Sequence, residues 1–77
     1  MKTYMPRYKI IRELIEDEEL GSFESYGILA VDSADKEIFR ISDISTDAAS
    51  LSDLIEQCNR GGVSLLHIHD IVEDFLS

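Results

Sequence analysis

The sequence predicts an α+β domain: a three-stranded antiparallel meander followed by two C-terminal helices, in the order β-β-β-α-α, with the helices packed on one sheet face. Two observations carry this. Asp47 to Arg60 and Leu65 to Leu76 each place apolar residues at helical spacing, with the breaker Gly61-Gly62 between them. The first half shows β-branched and aromatic runs separated by turn residues, and strands followed by helices argue against repeating βαβ units.

Each element has its own justification. Tyr8 to Ile15 mixes apolar and charged positions as a partly exposed strand would, and Pro6 sits where it can open it. The acidic run Glu16 to Glu19 and then Gly21-Ser22 interrupt the pattern, and Tyr26 to Val31 resumes it as a nearly uncharged, central strand. Asp32 to Lys36 supplies turn chemistry before a third strand from Glu37 to Ile44. At Ser45-Thr46-Asp47 the period changes, and Ser45 or Thr46 is expected to cap the first helix. Leu51, Leu54, Ile55 and Cys58 form its apolar stripe. Gly61 supplies a left-handed helix end, Ser64 caps the next helix, and Leu65, Ile68, Ile71, Val72, Phe75 and Leu76 carry the second stripe.

A chain of 77 residues, 1–77, makes one small domain. Its lone cysteine, Cys58, excludes an internal disulfide and reads as a buried small hydrophobe. Seven basic residues against 16 acidic ones give a net charge of -9, which opposes binding to a nucleic-acid backbone. Lys2, Arg7, Lys9 and Arg12 cluster near the start and leave the remainder acidic. No apolar run reaches the length of a membrane span, and the N-terminus lacks the apolar core of a secretory signal, so the expected compartment is the cytoplasm.

Candidate chemistry is sparse. His67, Asp70 and Asp74 follow i, i+3, i+7 spacing and offer imidazole and carboxylate ligands for a divalent metal, though one helix seldom converges a full ligand set unless His69 or another chain joins. Their ordinary reading is the solvated face of an amphipathic helix. Asp43 with Asp47 and Glu73 with Asp74 make carboxylate pairs of the kind used in acid–base catalysis, but among 16 acidic residues such pairs arise by chance. No nucleophile elbow or phosphate loop is present, so neither catalytic residues nor a cofactor is expected, and the chain reads as a non-enzyme. Tyr4, Tyr8 and Tyr26 are candidates for sheet packing or for recognition. Gly27, inside a strand, implies that a neighbouring ring or a docked partner backbone lies over it.

Both faces of the sheet look apolar: Ile10 and Leu14 oppose Ile11 and Ile15, and Tyr26 and Ile28 oppose Leu29 and Val31. Two short helices cover one face, so the other calls for a partner, most economically a second copy of the chain. The residues expected at that interface are Tyr8, Ile10, Tyr26 and Ile28.

Four stretches, Ser25 to Ile28, Asp43 to Asp47, Cys58-Asn59 and His67 to Leu76, are together similar in order and spacing to a family of short proteins of clostridial Firmicutes, a domain of unknown function. The resemblance covers roughly residues 8 to 76 and implies a free-standing cytoplasmic domain, with no activity, cofactor or partner attached. Gly61-Gly62 departs from the more polar connection expected of relatives and implies a looser helix junction. The functional expectations are a self-associating protein-interaction module, a metal-responsive binding protein, or a regulatory subunit contributing residues to an enzyme.

Overall fold

A computed structural model describes residues 6–77, so Lys2 and Tyr4 lie outside the described residues. The element order is β1 (Arg7–Asp17), β2 (Gly21–Val31), β3 (Glu37–Ser45), α1 (Ala48–Gly61) and α2 (Ile68–Leu76). The strands form one antiparallel sheet in the order β1-β2-β3, the predicted meander with β2 at its centre.

β1 and β2 pair without interruption from Arg7↔Val31 to Asp17↔Gly21, so both strands run further than their apolar content implies. The acidic run does not end β1. Asp17 Oδ1 accepts the backbone N–H groups of Glu19 and Leu20 at 2.8 and 2.9 Å, and Gly21 takes φ 78°, which turns the chain tightly enough for pairing to continue to the tip.

β3 pairs with β2 in register from Ile28↔Ile41 to Ala30↔Phe39, shifts by one residue before Val31↔Glu37, and shifts again, by two residues, before Tyr26↔Ser45. Ser42, Asp43 and Ile44 therefore oppose Gly27 alone, a bulge that swings Ile44 into the core at 6 % exposure. Asp43 absorbs the distortion at φ 52°, a conformation that aspartate tolerates better than most residues.

The core lies between one sheet face and the helices. Tyr8, Ile28, Ala30 and Ile44 from the sheet meet Leu51, Ile55 and Cys58 from α1 and Ile68 and Val72 from α2. Both predicted stripes are present, although Leu76 remains exposed. The helices cover only one end of the long hairpin. Exposure on the helix-bearing side of β1 rises from 2 % at Tyr8 to 37 % at Ile10 and 66 % at Leu14, so the ribbon toward the turn projects beyond the helix layer.

The cap of α1 is Asp47 rather than Ser45 or Thr46. β3 extends to Ser45, whose Oγ accepts the Asp47 N–H at 3.0 Å, and the helix starts one turn of chain later. Asp47 accepts the Ser50 N–H at 3.2 Å and the Ser50 hydroxyl at 2.7 Å. These bonds, the hydroxyl first, hold its carboxyl below the usual range and keep a negative charge at the positive end of the helix. The left-handed C-terminal residue is Gly62, at φ 64°, rather than Gly61. Its N–H reaches Asn59 O and the next N–H, from Val63, reaches Cys58 O, which makes the junction a hydrogen-bonded cap rather than a loose link. α2 begins at Ile68, later than its stripe implies. Ser64 acts one turn earlier, its carbonyl accepting the His67 N–H and its Oγ lying 2.8 Å from His67 Nδ1.

One contact ties helix to sheet edge. Asn59 Oδ1 accepts the Tyr8 N–H and Asn59 Nδ2 donates to the Tyr8 carbonyl, both at 2.8 Å, so the side-chain amide mimics a neighbouring strand. The Tyr8 hydroxyl donates to Val63 O at 2.7 Å and fastens the helix junction to the same strand. Asn59→Ala should lower unfolding free energy by about 1–3 kcal/mol, because two part-buried backbone groups lose their partner. Urea melts measure this, and an unchanged midpoint would show that the edge is satisfied without Asn59.

Candidate functional site

Alternation along the strands places Tyr8, Ile10, Tyr26 and Ile28, the residues expected at an interface, on the helix-bearing face. Tyr8 and Ile28 are buried in the chain's own core at 2 % and 0 % exposure, and Tyr26 packs against that core. Of the four, Ile10 alone is exposed. Both apolar sets suit a buried face, and the Tyr8 side chain lies on the side the helices cover, its hydroxyl bonded to Val63 O. The uncovered face consists instead of Ile11 and Ile15 on β1 with Phe23 and Leu29 on β2, all half-buried.

That open face contains a polar cluster organised around Gly27. Ser25 is fully buried, and its hydroxyl donates to Asp43 Oδ1 at 2.6 Å, with Ser45 O at 3.3 Å. Glu13 reaches across and accepts the Asp43 N–H at 3.0 Å. A Cβ on Gly27 would stand 2.2 Å from the Ile41 carbonyl oxygen and 3.1 Å from Glu13 Oε1. The group over this glycine is thus β3's own backbone in the bulge, neither a ring nor a partner. Ser25, Glu13 and Asp43 satisfy one another, and their chemistry is that of a brace across three strands.

The proposed metal ligands do not converge. His67, just before α2, and Asp70 and Asp74 on it are exposed, His67 Nδ1 is engaged with Ser64, and the His69 ring stacks on Phe39 with centroids 5.4 Å apart. Among the described residues, no three His, Cys, Asp or Glu side chains form a group able to hold a metal ion. Asp70 lies in the first turn of α2, where a negative charge suits the helix dipole. Asp43 and Asp47 likewise have separate tasks, bracing the bulge and capping α1.

Cys58 is 3 % exposed and lies beneath a shallow groove lined by Leu54, Gln57, Val63 and Ile71. Burial pushes its thiol up, which disfavours the reactive thiolate. Labelling of Cys58 by an aromatic disulfide at neutral pH should therefore be at least about tenfold slower in the folded chain than in urea. Equal rates would place the thiol at the surface.

Two other features bear on function. A depression at the hairpin tip is lined by Glu16, Asp17, Glu18, Gly21 and Ser22, an acidic rim. Among the described residues no helix is long and apolar enough to cross a membrane. Sequence reasoning did not find the Asn59 clamp or the Ser25–Asp43 brace, although Ser25, Asp43 and Asn59 all fall within the stretches that carry the family resemblance. No curated protein and no solved structure matches the chain. A model described as a family of unknown function, DUF6514, matches residues 1–77, and the chain belongs to that family.

Proposed function

We propose that the chain is a small, acidic, non-catalytic protein-interaction module that associates with a second copy of itself. One observation carries this reading: the β1–β2 ribbon projects past the helix layer, with Leu14 66 % and Ile10 37 % exposed on one side and Ile11, Ile15 and Phe23 half-buried on the other. A two-stranded ribbon is marginal alone, and apolar residues on both of its faces favour burial against further protein. The setting is taken to be the clostridial cytoplasm that the resemblance implies. Light scattering from micromolar to millimolar concentration tests the reading. The expected mass is twice that of the chain, and a single-chain mass throughout would overturn it.

A further inference from the structure

We infer that the outer edge of β1 pairs antiparallel with β1 of a second copy, in a register centred on Leu14. This rests on the self-association reading and specifies its surface. The clamp from Asn59 shows that the N–H and C=O of Tyr8 aim away from β2, so those of Ile10, Arg12, Leu14 and Glu16 aim the same way. No hydrogen bond within the described residues satisfies the outward groups of Ile10, Arg12 and Leu14, and an unpaired row of this kind is a template for another strand.

Charge selects the occupant. β1 carries Arg7, Lys9 and Arg12 in its first half and Glu13, Glu16 and Asp17 in its second, so the strand complements its own reversed copy. It holds three of the seven basic residues in a chain of charge -9 and is where a second acidic copy meets least repulsion.

Charge and the clamp together select the register. Pairings centred nearer the strand's start need the outer groups of Tyr8, which Asn59 already occupies. Centring on Arg12 or on Glu13 sets like charges face to face on the axis, and centring on Ile15 sets Glu13 against Asp17. Centring on Leu14 pairs leucine with leucine, sets Arg12 opposite Glu16 at both symmetric positions, and begins beyond the clamp. Arg12 is available for this, its ion pair among the described residues being a 3.8 Å contact with Glu24 and its side chain 71 % exposed. Each outward-facing pair exchanges two N–H···O bonds, and the two sheets become one.

The test is the dissociation constant of the full chain and its variants, measured by sedimentation equilibrium. R12E and E16R should each weaken association at least about tenfold, and R12E/E16R should restore it to within about threefold of the parent chain, because the double exchange rebuilds the opposite pairs. L14P removes an N–H that points away from β2 and should abolish association, while circular dichroism and the melting midpoint, compared at concentrations too low for association, stay close to those of the parent. A dimeric parent whose single charge reversals and L14P all remain equally dimeric would overturn the edge pairing and leave self-association standing. A parent chain that is monomeric at every concentration would overturn both.

Discussion

Gly27→Ala is expected to destabilise the domain by about 3 kcal/mol or more, a large share of the total stability of so small a fold. The added methyl would stand 2.2 Å from the Ile41 carbonyl, a separation that real Cβ contacts do not reach. The neighbour is backbone, so no rotamer change relieves the clash. β3 would have to leave β2 at the bulge, breaking the Ser25–Asp43 hydrogen bond and withdrawing Ile44 from the core. Urea unfolding with an unchanged slope would measure the loss. A midpoint within experimental error of the parent would show that β3 does not cross so closely over this position.

Leu51→Ala should cost about 2–5 kcal/mol, the range for truncating a fully buried leucine whose surroundings cannot collapse. Leu51 is 0 % exposed and belongs to the cluster joining α1 to Ile28 and Tyr8 on the sheet and to Ile68 and Val72 on α2. A helix of 14 residues has little stability of its own, so α1 depends on this packing. Leu14→Ala is the control, since a side chain 66 % exposed should change the free energy of the single chain by less than about 0.5 kcal/mol. Comparable losses at the two positions, measured at concentrations too low for association, would contradict the placement of the core beneath α1.

The element order, the central place of β2 and both helix stripes were legible because each is written in local periodicity. Element ends were harder to read where a charge has two meanings. Glu16 and Asp17 look like loop residues, yet on a ribbon exposed on both sides nothing excludes them from a strand. At Ser45-Thr46-Asp47 three capping residues stand in a row, and only the length of β3, fixed by pairing with β2, selects the last. The helix-bearing face was not legible, because Ile10 with Leu14 and Ile11 with Ile15 are equally apolar, and the bonds that hold Tyr8 to Asn59 and Val63 span more than fifty residues of chain. The bulge was equally hidden. Gly27 signals a close approach, but what approaches depends on two extra residues in β3 that no local pattern reveals.

The two sides of this sheet end in different ways. On the far side, the kink at Asp43 and the ion-paired Arg40 and Glu37 make a poor template for further strands. On the near side, the amide of Asn59 blocks the run at its first core residue. In the proposed dimer, stacking would therefore terminate itself. With two molecules joined through the remaining length of β1, neither would present a clean border to a third, and the acidic loops at the ribbon ends would repel lateral growth. A protein with a bare ribbon and oily residues on both of its surfaces would otherwise be a candidate for filaments, and the same few side chains that hold the domain together would set a limit on how large the proposed assembly could grow.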